Sequence, residues 1–286
     1  MAIFRNQAQL VYQGAEINSN VATGEIFESL SVTKTPITEN YAQGSKIAYM
    51  INISNAGAVP RTNLTVTDDL GGYTFGTQTV RPEEYITDSI RYYENGALQP
   101  TPTITSTAPL TITGINVPAE GNTMLVYTVQ TNGYAPLDAA GSITNTVNVA
   151  DPNVRAEDSM VAQATITPYN VLNLTIAKSV VPVSVTENGV VTYSFVILNT
   201  GTVPATASDL VSIRDTFSPI LRDISVTFDG AAWQSNVQYN YDEDTGVFST
   251  VPGQIVVPAA NVTQDPVTGL WQSVPGSATL LVSGTI

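Results

Sequence analysis

Six polar side chains stand on strand phases that are otherwise apolar. In Leu30-Ser31-Val32-Thr33-Lys34 the lysine shares the phase of Leu30 and Val32, and Leu174-Ile176-Lys178 repeats the arrangement. Successive side chains of a strand point to opposite faces, so both lysines are expected to point into a core. Asp68 lies in phase with Leu64, Val66 and Leu70, and Asp215 with Val211, Ile213 and Phe217. Asn145 is in phase with Ile143, Val147 and Val149, and Asn6 with Phe4, Ala8, Leu10 and Tyr12.

An isolated buried charge is costly, so such groups must pair or become neutral. Burial favours the uncharged amine of a lysine and the uncharged acid of an aspartate. Beside an asparagine carboxamide these are the reagents for a spontaneous isopeptide bond. The amine attacks the side-chain carbonyl, the acid polarises that carbonyl and relays protons, and ammonia leaves. The expectation is one bond between Lys34 and Asn145 assisted by Asp68, and a second between Lys178 and the Asn6 of a neighbouring copy assisted by Asp215. The competing reading is a buried lysine–aspartate ion pair with a hydrogen-bonded asparagine and no bond.

The elements that must position these residues read as strands throughout. Alternating runs rich in Val, Ile, Thr and Tyr, such as Lys46 to Ile53, Leu64 to Leu70, Met124 to Val129 and Val190 to Ile197, are separated by Gly, Pro, Asn and Asp clusters. No helical period competes with them, so the chain is expected to be all-β. The turn signals at Asn95-Gly96, Asp229-Gly230, Asp244-Thr245-Gly246 and Thr268-Gly269 mark hairpins.

The chain also repeats itself at a spacing of about 144 residues. Leu30 to Thr35 matches Leu174 to Ser179; Tyr49, Asn55, Gly57 and Pro60 match Tyr193, Asn199, Gly201 and Pro204. The run from Leu64 to Leu70 matches that from Val211 to Phe217, and that starting at Gly121 matches that starting at Gly276. Two tandem immunoglobulin-like β-sandwiches are the natural reading. The expected domains are a donor hairpin over 1–29, a complete sandwich over 30–166, a linker over 167–173, and a second sandwich over 174–286 without its closing strands.

The hairpin and the gap match. Residues Phe4 to Ile26 resemble Ile143 to Ile166, with Asn6 on Asn145, and Ser19, Val21 and Ala22 on Ser159, Val161 and Ala162. Three residues (Phe27 to Ser29) tie this hairpin to the first sandwich, which makes donation to another copy easier than self-completion. A heterologous contact of that kind generally does not close and builds a filament, here a head-to-tail homopolymer made by strand addition.

Composition narrows the remaining classes. A formal charge of −14 with 10 Lys plus Arg leaves no basic stripe for nucleic acid or anionic lipid. The absence of His and Cys removes the usual general base, thiol nucleophile and zinc ligands. No cofactor, metal or conventional enzyme activity is expected beyond self-catalysed bond formation. No apolar stretch approaches membrane-spanning length, and the opening residues do not read as a secretion signal. Asp242-Glu243-Asp244 reads as a solvated turn rather than a calcium loop, Glu83-Glu84 after Pro82 as a surface loop rather than a carboxylate pair, and Trp233 and Trp271 as packing residues.

The early VTKT, the central TVTDDL and the closing ITNTVNV together resemble the bacterial surface repeat family called domain of unknown function eleven, through Lys34, Asp68 and Asn145 in the first copy and Lys178 and Asp215 in the second. The opening residues are similar to short two-repeat members from spore-forming Gram-positive bacteria. The resemblance implies immunoglobulin-like, isopeptide-bearing modules with a structural role, in an extracellular filament or on a spore surface where assembly needs no export signal. The alternative is a ligand-binding surface adhesin module taken from a longer array.

Overall fold

The computed structural model describes residues 2–26, 30–152 and 159–286. Strands dominate because β-branched and aromatic side chains pack well on a pleated face, while the punctuating Gly, Pro, Asn and Asp take the turns. A three-residue 3-10 turn at Ala207–Asp209 is the helical element among the described residues. The chain divides into two compact units, the first of residues 1–39, 45–131 and 144–166, the second of residues 40–44, 132–143 and 167–286. Each unit carries an immunoglobulin-like β-sandwich.

The N-terminal segment is one long hairpin of four short strands, β1 (Ala2–Asn6), β2 (Gln9–Tyr12), β3 (Ala15–Asn18) and β4 (Ala22–Ile26). β1 pairs antiparallel with β4 and β2 with β3. Its tip turns at Gln13 and Gly14, with φ of 50° and 80°. Leu10, Val11, Tyr12 and Ile17 are all exposed along it. Residues 27–29, the short tie expected between hairpin and sandwich, lie outside the described residues, as does the side chain of Phe4.

The first sandwich continues with β5 (Leu30–Pro36), β6 (Lys46–Asn55), β7 (Arg61–Asp68), β8 (Glu83–Tyr85), β9 (Leu110–Val117), β10 (Gly121–Thr131), β11 (Ile143–Ala150) and β12 (Met160–Pro168). One sheet runs β5–β6–β10, with β8 and Arg91–Glu94 both on the far edge of β10. The facing sheet runs β9–β7–β11–β12, with Thr103–Thr107 outside β9. Alternation does the sorting: in β6 the side chains of Ile47, Tyr49, Ile51 and Ile53 are buried in turn, against Leu64 and Val66 of β7 and Leu125, Tyr127 and Val129 of β10 on the core side.

The second sandwich contains β13 (Leu174–Val181), β14 (Val190–Asn199), β15 (Arg214–Thr216), β16 (Arg222–Phe228), β17 (Val247–Thr250) and β18 (Gly276–Thr285). One sheet runs β13–β14–β18–β16–Ala231–Trp233, and the other β15–β17–Tyr239–Tyr241. The order copies the first unit: Asp215 of β15 faces Phe248 of β17 as Asp68 of β7 faces Leu110 of β9. The repeat also reuses one buried clamp. Asn55 Nδ2 donates to the carbonyls of Val59 and Pro118 at 2.8 and 3.1 Å while its Oδ1 accepts from Gly57 N. Asn199 makes the same bonds to Val203 and Pro258 at 2.8 and 3.1 Å and accepts from Gly201 N. The layers differ at one place. β7 lies between β9 and β11, whereas β15 has β17 on one side and is otherwise the edge of its sheet.

Candidate functional site

The first sandwich closes over a polar cluster at one end of its core. Lys34 sits at the inward position of β5, Asp68 ends β7, and Asn145 lies on the inward phase of β11; Lys34 is 6% exposed and the other two fully buried. Lys34 Nζ donates to Asp68 Oδ2 at 2.6 Å. Tyr127 from β10 donates a short hydrogen bond to the same oxygen, and Asp68 Oδ1 accepts from Leu70 N at 2.9 Å. The ammonium end of Lys34 also lies 4.6 Å above the ring of Tyr49, a favourable cation–π position.

A fourth member, Glu83, holds the asparagine. Its Oε2 accepts from Asn145 Nδ2 at 2.7 Å and its Oε1 from the Tyr49 hydroxyl at 2.7 Å. Glu83 is completely buried, which corrects the expectation of a surface loop at Glu83-Glu84. The physical reason is the three-residue strand β8. Pairing Glu83 with Thr131 and Tyr85 with Val129 turns Glu83 inward and leaves Glu84 outside. Pro82 suggested an irregular loop, but a proline just before a strand edge costs no ladder bond. A strand of three residues is too short an alternation for the sequence to signal this.

Burial sets the electrostatics. It pushes the Lys34 amine below the usual lysine range, more than the adjacent Asp68 raises it. It pushes the Glu83 carboxyl up to about 7, against the lowering pull of the Tyr49 hydrogen bond. Burial likewise lifts the Tyr127 and Tyr49 hydroxyls above the normal phenol range, so both remain donors. Asn145 Oδ1 is buried and accepts no hydrogen bond. The cluster thus holds an amine whose pKa burial lowers, a carboxamide, and two carboxyl groups in one buried pocket.

The second sandwich assembles half of this arrangement. Lys178 of β13 forms a close ion pair with Asp215 of β15, and its Nζ lies 4.7, 5.4 and 5.5 Å from the ring centres of Tyr193, Phe217 and Phe195. The side chains of Lys178 and Asp215 are 40% and 18% exposed, whereas those of Lys34 and Asp68 are both 0% exposed. The expected inward burial of Lys178 and Asp215 is therefore incomplete, because among the described residues no strand covers the outer edge of β15. Asn6 is exposed on β1, opposite Ala22, rather than buried on an apolar face. The first cluster brings together Lys34, Asp68 and Asn145; the second brings together Lys178 and Asp215.

The weaker candidates have structural roles. Asp242 Oδ1 accepts from the backbone N–H groups of Asp244 and Thr245 and so closes a turn, and no cluster of potential metal ligands occurs among the described residues. Trp233 stacks on Phe228 at 5.0 Å, and Trp271 is half-buried in a hairpin opposite Gln264.

Fold and cluster together define a two-unit all-β chain of immunoglobulin-like sandwiches. No sequence family and no curated protein matches it. Among solved structures it is similar to the pilus backbone RrgB from Streptococcus pneumoniae, at 9% identity and a TM-score of 0.36 over 87% of this chain and 55% of that one. The chain thus spans about half the length of that structure. It is also similar to the N-terminal domain of the Streptococcus gordonii adhesin Sgo0707, at 13% identity and a TM-score of 0.36 over 54% of this chain and 36% of that one. A collagen-binding domain from a Staphylococcus aureus adhesin aligns at 11% identity and a TM-score of 0.31 over 50% of this chain and 99% of that one. Likenesses this distant carry no functional weight. No helix among the described residues is long and apolar enough to cross a membrane.

Proposed function

We propose that the protein is the structural subunit of a filament, extracellular or on a spore surface, whose copies join head to tail by strand donation. The observation that carries this reading is the difference between two equivalent strands. In β7, Thr65 and Thr67 are partly covered and Asp68 is buried beside β11; in β15 and the two residues before it, Ser212 and Arg214 are exposed and Asp215 is partly open. An unpaired strand edge beside exposed polar and apolar side chains is a template for another strand.

The N-terminal hairpin has the sequence to occupy that edge. In the first sandwich β11 pairs with β7 through Val147 and Asp68, Asn148 and Thr67, and Val149 and Val66. Placing Asn6 on Asn145 and Asp215 on Asp68 sets Ala8 opposite Asp215, Gln9 opposite Arg214 and Leu10 opposite Ile213. Leu10 then leaves solvent for the position that buries Val149, a transfer worth about 2 kcal/mol. Asn6 arrives two residues before Ala8, on the face of Lys178. Within each subunit Lys34 bonds to Asn145, with Asp68 taking the amine proton and Glu83 serving the departing amide nitrogen; at each junction Lys178 bonds to Asn6.

The cysteine-free sequence offers a direct test. Gln9→Cys together with Arg214→Cys is expected to give disulfide-linked ladders on mild oxidation, because directly opposed strand positions meet disulfide geometry. Moving one cysteine two residues, to Ser212→Cys, is expected to weaken the ladder sharply. Monomer alone from the Gln9/Arg214 pair contradicts the docking register.

A further inference from the structure

The two lysine–aspartate pairs sit in sheets of the same order, so the strand registers align their surroundings residue by residue. Tyr49 faces Tyr127 across β6 and β10, and Tyr193 faces Val282 across β14 and β18. Three residues further along β10, Gln130 faces Glu84; three residues further along β18, Thr285 faces Arg222. Glu83 therefore corresponds to Leu221, and Tyr127 to Val282. Both replacements are wholly buried in the second core. Where the first site places a carboxyl on the asparagine and a phenol on the aspartate, the second presents hydrocarbon, with Tyr193, Phe195 and Phe217 around the amine.

We infer that the junction is a one-acid isopeptide site, in which Asp215 alone relays protons between Lys178 and the incoming Asn6 of a second copy. The inference rests on the strand-donation reading above. In the step, Lys178 Nζ bonds to Asn6 Cγ and the Cγ–Nδ2 bond breaks. Starting from the ion pair, Asp215 takes in turn the two protons that the Lys178 ammonium must lose and passes both to Nδ2, which departs as ammonium, and Asp215 returns to its starting carboxylate. No oxidant or reductant is consumed. The first site divides this work between two carboxyls: Asp68 on the amine at 2.6 Å and Glu83 on the amide nitrogen at 2.7 Å. With Leu221 in place of Glu83, the second site assigns both transfers to one residue. Asp215 pairs with Lys178 through Oδ2 and accepts the Thr216 N–H at 2.9 Å through Oδ1. Lys178 and Asp215 also keep access to water until a donor strand covers them, so dry conditions for attack arise on docking.

The test uses the full chain as wild type, Glu83→Gln and Asp215→Asn, followed by intact mass and by gel electrophoresis after boiling in detergent. Glu83→Gln is expected to remove the ammonia loss belonging to the first sandwich while leaving the boiling-resistant ladder and its rate within about twofold. Asp215→Asn is expected to assemble still, by light scattering, yet to fall to monomer on boiling, its junction bond slowed at least a hundredfold, the usual scale of a positioned acid–base group. A ladder that survives Asp215→Asn at the wild-type rate, or one that disappears in Glu83→Gln, overturns the inference alone. A wild-type fibre that boils down to monomer overturns the inference together with the covalent part of the strand-donation reading.

Discussion

Replacing Asn145 with alanine removes the electrophile of the first cluster and changes little else in volume. A bond from Lys34 to Asn145, as proposed, would close a loop of about 110 residues, and a cross-link of that span stabilises by about 5 kcal/mol in the chain-entropy account. Losing the hydrogen bond from Asn145 to the buried Glu83 adds about 1–3 kcal/mol. For a domain of this size the two together lower the melting temperature on the order of 20 °C. Calorimetry of the full chain should show one transition moving by that amount while the transition of the second sandwich stays in place. Intact mass supplies the chemical readout, since the wild-type chain should be lighter than its sequence by one ammonia for this bond and the variant should not. A wild-type mass equal to the sequence, with a shift of only a few degrees in Asn145→Ala, would refute the bond and leave the ion-pair reading.

Further outcomes follow from the same geometry. In Lys34→Met, which cannot form the bond, Glu83 also loses the lowering pull of Lys34, so the folded state holds its proton to about pH 7 or above against an ordinary carboxyl value of 4.5. Stability is therefore fully present below the unfolded value and falls as pH rises through 7, by about 3 kcal/mol; chemical denaturation across that range should show the slope, and adding Glu83→Gln should flatten it. Leu10→Ala should weaken the junction about thirtyfold or more, from a truncation cost of at least 2 kcal/mol, read as the concentration needed for assembly. Asn199→Ala cuts the clamp to Val203, Pro258 and Gly201 and should lower the stability of the second sandwich by about 2–3 kcal/mol, with the first transition unmoved.

Much of the architecture was legible because it is written in short-range phase. The alternation in Lys46 to Ile53 announces which side chains of β6 enter the core, and the copied Asn55 and Asn199 mark equivalent corners of two sandwiches. The inward positions of Lys34, Asp68 and Asn145 follow from the same alternation. Glu83 was not legible, because a three-residue strand has too few side chains to show a phase and its direction depends on pairing with Thr131, nearly fifty residues away. The partial exposure of Lys178 and Asp215 escaped for a related reason. Phase says which face a side chain shares, but only the neighbouring strand decides whether that face is covered.

The central claim is that strand donation from the N-terminal hairpin joins copies end to end. Electron microscopy of the purified full chain beside a chain lacking residues 1–26 tests it most directly. Unbranched fibres from the full chain and dispersed particles from the shortened one are the predicted result; dispersed single particles from both, at concentrations well above those used for purification, would contradict it.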